Sequence, residues 1–282
     1  MSLLRVLLWP LRNRGAREAS ARPAPAALPQ VTLEQYEQIM PILKVSDGAT
    51  EVAFCTPNRF THWRVETLFS KEPDTIEWIA SFGPHDVLVD IGANVGMYTV
   101  WAARTRGTRV YAFEPESQNF AVLYRNIVLN KLGERVTAYC AALSDEENFS
   151  LLYLSEFRIG GSCHTLGAAL DHNLEARRTG VTQGCISTTL DRLIERGVVP
   201  VPQHIKVDVD GLEHKVLAGC RDTIRNPQVK SVLVEINTNL PEHRSIVEDL
   251  AAMGYSYSTA QVASAQRKEG AFKGVGNYVF RR

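Results

Sequence analysis

HDVLVDIGANVG, residues 85–96, is the stretch whose reading decides the fold. Its first half is a continuous apolar run of strand length, the mark of a strand covered on both faces in a parallel sheet. The run ends in an acid, Asp90, and passes into a G-x-N-x-G turn formed by Gly92, Asn94 and Gly96. A helix is predicted from Gly96 to Arg104. Strand, glycine-bearing turn and helix together open an α/β sheet of the kind that binds ligands beyond the carboxyl ends of its strands.

Outward from this stretch the chain keeps alternating. TRVYAFEP (108–115) reads as a second strand, stopped by Pro115. Ser117 is expected to cap QNFAVLYRNIVLNKL, where Phe120, Leu123, Ile127 and Val128 recur at helical spacing. RVTAYCAAL (135–143) is a third strand, HIKVDVDG (204–211) a fourth and VKSVLVEIN (229–237) a fifth. Helices are expected from about Leu212 to Ile224 and through PEHRSIVEDLAAMG, and Thr189 is expected to cap a short one over DRLIERG. FSLLYLS suggests an extra strand within 149–187, a stretch that interrupts the rhythm. YSYSTA (255–260) and NYVFRR (277–282) show no helix between them and are expected to pair antiparallel. The fold class is therefore α/β: a Rossmann-like, mostly parallel, doubly wound sheet with an antiparallel strand at one edge.

Three segments are expected: a basic tail and linker over 1–30, a lead-in or cap over 31–73, and the Rossmann-like domain over 74–282. Asp74 is the expected cap of the helix TIEWIASF that opens the last of these. The whole chain balances 31 basic against 31 acidic side chains, which gives no electrostatic case for nucleic acid. Residues 1–30 carry five arginines and one glutamate, a balance of +4, so the remainder carries −4. Residues 1–22, basic and bearing leucines and a tryptophan, could touch an anionic membrane surface weakly. No apolar run approaches the ~20 residues of a bilayer span. The five cysteines are odd in number and form no CxxC pair, which suggests reduced thiols in a cytoplasmic protein.

The G-x-N-x-G turn separates two cofactors. A dinucleotide asks for G-x-G-x-x-G, whose middle glycine makes room for a pyrophosphate, and here Asn94 stands in that crowded place. S-adenosylmethionine has no pyrophosphate. It presents a carboxylate to the free N–H groups at a helix start and a cationic side that suits Asp90. Glu114 lies 24 residues after Asp90, at the end of the second strand, where a carboxylate can accept both ribose hydroxyls. Ser144 and Asp145, after the third strand, fall beside the expected adenine. On the fourth strand, alternation puts Lys206, Asp208 and Asp210 on one side and Val207 and Val209 on the other. Such carboxylates belong at a ligand crevice or at a solvated, ion-paired strand exit.

VDIGANVGMYT, YAFEPE, IKVDVDGLEHKVLAG and VLVEIN, in that order, resemble the FkbM-type methyltransferases over about Asp86 to Asn237. The resemblance implies the class I S-adenosylmethionine fold and O-methylation of a hydroxyl. It also implies a cofactor site lined by Asp90, Gly92, Asn94, Gly96 and Glu114, with Asp208 near the transferred methyl. Asp210 departs from the family, which more often has glutamate there.

On this reading Asp208 is the general base, with Glu213, His214 and Glu235 in reserve. A divalent metal held by Asp208, Glu213 and Glu235 is a possible but not an expected assistant. The acceptor is a small molecule or glycan whose identity the sequence does not spell out. The competing readings are an NAD-dependent oxidoreductase and a non-catalytic Rossmann-like interaction domain.

Overall fold

The structure, a computed structural model, describes residues 31–48 and 50–282. The basic segment 1–30, and with it the expected membrane contact through residues 1–22, lies outside the described residues. By contacts the chain divides after Ile39. On the first side is helix α1 (Leu33–Gln38), opened by a capping box between Thr32 and Gln35.

The second part begins with an antiparallel hairpin, β1 (Ile42–Asp47) and β2 (Thr50–Cys55), followed by α2 (Arg59–Glu66). The helix expected over TIEWIASF is α3 (Pro73–Ala80). It starts earlier than expected, with Glu72 as N-cap and Pro73 in the first turn, where the missing N–H costs nothing. There follow β3 (Val87–Ile91), α4 (Met97–Arg106), β4 (Arg109–Phe113), α5 (Ser117–Leu129) and β5 (Val136–Tyr139). The cap of α5 is Glu116, whose carboxylate accepts from the N–H groups of Gln118 and Asn119, and not Ser117.

The run 135–143 does not stay one strand. It breaks after Tyr139, and β6 (Ala142–Leu143) leaves to join a second sheet with β7 (Asn148–Tyr153), β8 (Thr165–Leu166) and β9 (Thr182–Thr188), in the order β6-β9-β7-β8. Thr189 caps α6 (Leu190–Glu195) as expected, accepting from the Arg192 N–H. The remaining elements are β10 (His204–Val207), α7 (Glu213–Ala218), α8 (Arg221–Arg225), β11 (Ser231–Asn237), α9 (Pro241–Ala252), α10 (Thr259–Ala265) and β12 (Val275–Arg281). The single helix expected over 212–224 is thus two, broken at Gly219-Cys220. A Cβ at Gly219 would lie 2.0 Å from the Ser144 carbonyl oxygen.

The main sheet runs β12-β11-β10-β3-β4-β5, parallel throughout except for β12 against β11. The antiparallel edge is therefore present, but the pairing expected for it is not. YSYSTA contributes only an isolated bridge from Ser256 to Arg281, and α10, capped by Ser258, occupies the place read as helix-free. Strand order reverses between β3 and β10, which makes their carboxyl ends the switch point where such sheets bind ligands.

Period-two alternation sends the strand side chains to two apolar layers. Leu88, Val110 and Ala112 pack with α3, α4 and α5. Val89, Ile91, Ile205 and Val207 pack with Leu190, Val216, Ile224, Ile246 and Leu250 on the other face. Each fully buried side chain of this size contributes about 1.5–3 kcal/mol. The hairpin joins the first layer through Val52 and Phe54, both 0% exposed. Asn126 of α5 and the helix's C-cap Asn130 satisfy its backbone: Asn126 Oδ1 accepts from Cys55 N at 2.7 Å, and Asn130 Nδ2 donates to Ala53 O at 2.7 Å. That anchorage carries α2 to the rim of the switch point. Among the described residues no helix is long and apolar enough to cross a membrane.

Candidate active site

The turn after β3 is tight for reasons of packing as well as of ligand access. Gly92 has φ +79°, and a Cβ there would lie 1.8 Å from the Asp208 carbonyl oxygen. Gly96 has φ +82° and meets Leu123 in the same way, at 2.3 Å. Only glycine fits either position. The N–H groups of the turn are already spent. Gly92 and Ala93 donate to Phe113 O, and Gly96 donates to Ala93 O. Asn94 N donates to Glu114 Oε2 at 2.8 Å, and Val95 N to the Asn94 side chain at 2.9 Å. The amides of residues 92–96 are therefore spent within the turn, and the N–H groups left for an anion are those of Met97 and Tyr98 in the first turn of α4.

Glu114 is 4% exposed beneath the turn. Its other oxygen accepts from Glu116 N at 2.9 Å, and burial pushes its carboxyl up to about 7. Each oxygen keeps a second lone pair. Asp90, 1% exposed, does not line the open cleft. One of its oxygens accepts from Thr99 Oγ1 at 2.5 Å, and Oδ1 has no hydrogen-bond partner. Burial raises its carboxyl, opposed by the Lys206 ammonium 3.9 Å away. Lys206 is itself 2% exposed and donates to Asp208 Oδ2 at 2.9 Å. Burial works against its charge, but Asp208, Asp90 and Glu72 raise its ammonium above the ordinary lysine range.

Above these groups lies a cleft of 380 Å³ whose lining includes Gly92, Asn94, Asp208, Asp210 and Glu235. β10 ends at Val207, so Asp210 reaches the cleft through a turn at φ +57° and not by strand alternation. One oxygen each of Asp208, Asp210 and Glu235 lies within 4.8 Å of the others, a set that could hold a divalent cation. Burial, then the Asp208 charge, pushes Asp210 up to about 6. Burial with Asp208 and Asp210 pushes Glu235 well above the ordinary carboxylate range, although Arg267 stands 3.5 Å from it.

A strap over residues 158–163 crosses the cleft's edge. Gly161 O accepts from Asn94 Nδ2 at 2.7 Å and Asn119 Nδ2 at 3.1 Å, Gly160 O accepts from Arg64 Nε at 2.7 Å, and Cys163 N donates to Asp210 Oδ2 at 2.6 Å. Three non-glycine residues with positive φ meet here: Asn94 at 50°, Cys163 at 59° and Asp210 at 57°. Strained backbone of this kind collects at functional sites.

The fold thus brings Gly92, Asn94 and Asp208 into one cleft, with Asp90 and Glu114 beneath it. Ser144 and Asp145 stand apart, because β6 leaves the main sheet: Ser144 N donates to Thr188 O, and Asp145 lies 3.9 Å from Lys215. Glu213 is 0% exposed and holds the turn rather than facing the cleft, accepting from Val209 N and Gly211 N beside His243. In the carboxylate trio Asp210 therefore takes the place given to Glu213. His214 is likewise not among the cleft residues; its Nδ1 is buried without a partner.

Sequence reasoning missed the rim. Phe60, Trp63, Arg64, Lys71, Glu72, Arg267 and Phe272 all line the cleft. Against its burial, Glu72 is held down to about 2 by Lys71 and Lys206, and it accepts from the Tyr98 hydroxyl at 2.8 Å. The available signal was FTHWR (60–64), two aromatics and an arginine at helical spacing.

Comparison with known proteins gives a consistent picture. The family model for a methyltransferase FkbM domain matches residues 90–257. The 31-O-demethyl-FK506 methyltransferase FkbM of Streptomyces tacrolimicus is 28% identical over 178 residues, covering 55% of this chain and 66% of that protein. The hexuronic acid methyltransferase AglP of Haloferax volcanii is 28% identical over 179 residues, 63% of this chain and 67% of that one. A crystal structure of a methyltransferase FkbM from Methylobacillus flagellatus KT aligns with 79% of this chain and 51% of its own, at 15% identity and a TM-score of 0.48. The chain thus spans about two thirds of the length of these curated relatives.

Proposed function

Because the chain belongs to the FkbM methyltransferase family, we propose that it transfers the methyl group of S-adenosylmethionine to a hydroxyl of a sugar, glycan or secondary metabolite. The observation that carries this reading is the meeting of Gly92, Asn94 and Asp208 in one cleft at the switch point of the sheet. The cofactor suits that cleft. The turn carries no Cβ at Gly92, and the carboxylate of Asp208 stands beside it. Glu72, Asp208, Asp210 and Glu235 there suit the sulfonium and ammonium of the cofactor, and Arg64, Lys71 and Arg267 on the rim suit an anionic group.

Gly92, Asn94 and Glu114 are the residues assigned to hold the cofactor, which when bound supplies an electrophilic methyl on a sulfonium. The chain's own work is to align the acceptor, exclude water and remove a proton. Asp208 takes that proton. Its Oδ2 is held by Lys206 and its Oδ1 has no hydrogen bond among the described residues, so one oxygen is fixed and the other is free to accept. Asp210 is a second candidate base, favoured by a carboxyl raised to about 6, near the value that serves a base at neutral pH.

Transfer of labelled methyl from the cofactor into a library of glycans and cell extract, read by product mass, tests the reaction. Asp208→Asn is expected to lower turnover by about 10²–10⁴-fold, the usual share of a general base. Near wild-type turnover in a folded variant removes Asp208 from the role, and no labelled product from any source overturns the activity.

A further inference from the structure

We propose that Trp63, backed by Phe60, is a stacking platform for a pyranose ring of the acceptor. This narrows the acceptor class of the proposed reaction and rests on that reading. The two rings lie on one face of α2, with centroids 5.6 Å apart and planes 17° from parallel. Arg158 covers the Phe60 ring at 4.0 Å and Arg64 stands over it at 4.9 Å, so Phe60 is fully engaged. Trp63 is 42% exposed, and its single aromatic contact among the described residues is Phe60. The indole is therefore backed by Phe60 and, partly exposed, lines the cleft.

The chemistry within reach of that face is divided. One side is an aromatic plane, which favours a flat apolar surface. Asp208, Asp210 and Glu235 line the same cavity and are acceptors for O–H donors when ionised. An alkyl chain laid here would cover the remaining acceptor sites of these carboxylates, such as Asp208 Oδ1, without bonding them, which is costly. A planar aromatic acceptor would satisfy the indole but bring few hydroxyls to the acids. A pyranose meets both demands. Its C–H face covers the indole, its hydroxyls reach the carboxylates, and one of them is thereby presented to Asp208. The Arg64 guanidinium, fixed through Nε to Gly160 O at 2.7 Å, leaves its remaining N–H groups for a ring substituent.

The test uses the full chain with S-adenosylhomocysteine present and saturation-transfer NMR. Methyl glucoside and methyl glucuronide serve as probes, with hexanol as the aliphatic control. Ring protons of at least one glycoside should receive saturation from the wild type. Trp63→Ala should weaken that glycoside about tenfold, and Trp63→Phe should restore most of the loss. Calorimetry on the same samples should show the affinity for S-adenosylhomocysteine changed far less than that for the glycoside, since the residues assigned to the cofactor are Gly92, Asn94 and Glu114 and Trp63 comes from α2. Saturation of neither glycoside, saturation that survives Trp63→Ala, or Trp63-dependent binding of hexanol alone overturns the platform. If these occur while S-adenosylhomocysteine still binds, the methyltransferase reading stands; loss of that binding in the wild type sinks both.

Discussion

Replacing Lys206 with methionine removes the cation from the cleft floor but keeps an unbranched side chain of similar length. Volume is nearly preserved, so the effect is electrostatic rather than a cavity. Lys206 has Asp208 Oδ2 at 2.9 Å and Asp90 Oδ1 at 3.9 Å. Asp208, 27% exposed at its side chain, can turn to water once the ammonium is gone. Asp90, 1% exposed, cannot, and it keeps only its bond from Thr99. Stranding a buried charge by deleting its partner costs about 3–5 kcal/mol, and we expect that loss for Lys206→Met near pH 7.

The sign of its pH dependence follows from Asp90. Burial already raises that carboxyl in the folded protein, and Lys206 works against the rise. Without the lysine the folded value climbs further above that of the unfolded chain. The variant is then penalised most above the raised value and regains stability as pH falls and Asp90 takes up a proton. Urea unfolding of both proteins near pH 7 and near pH 5 measures the difference. A deficit below about 1 kcal/mol near neutral pH, or one that does not shrink on acidification, refutes the picture of a buried Asp90 held by Lys206.

Other expectations follow from the same geometry. Burial pulls His204 down to about 4, while the unfolded residue titrates near its ordinary value of about 6.5. Stability is therefore full above about 6.5 and falls by about 3 kcal/mol as pH drops toward about 4. Urea midpoints across that range check this, and His204→Gln should flatten the slope. In the acceptor reaction, kcat/KM should decline as pH falls through about 6, where Asp210 becomes protonated; persistence of that limb in Asp210→Asn would assign it elsewhere. Chelation by EDTA should leave turnover unchanged; a loss restored by magnesium would turn Asp208, Asp210 and Glu235 into a metal site.

The centre of the site was readable because its signals are local. An apolar run, a G-x-N-x-G turn and an acid at the next strand's end each fit within a dozen residues, and their order implies neighbouring strands. The use made of the glycines was not readable: Gly92 is required by the Asp208 carbonyl, which arrives from a strand more than a hundred residues later. Glu213 looked like a spare catalytic acid because composition does not tell a carboxylate facing a cleft from one gripping two backbone amides. The rim was missed for a similar reason. Phe60 and Trp63 come from α2, whose placement follows the hairpin docked by Asn126 and Asn130, and Glu72 is held by Tyr98 and Asn277, all long-range contacts with no periodic signature. α10 escaped because its capping serine sits inside a segment of strand-like composition, YSYSTA.

Calorimetry against S-adenosylmethionine, S-adenosylhomocysteine and NAD probes the cofactor cleft most directly. The account predicts saturable heat with both sulfur compounds and none with NAD, and a weaker response from Glu114→Gln, which offers one acceptor oxygen where the wild type has two. Heat with NAD alone would point to an oxidoreductase, and silence with all three would leave the sheet a scaffold without a cofactor.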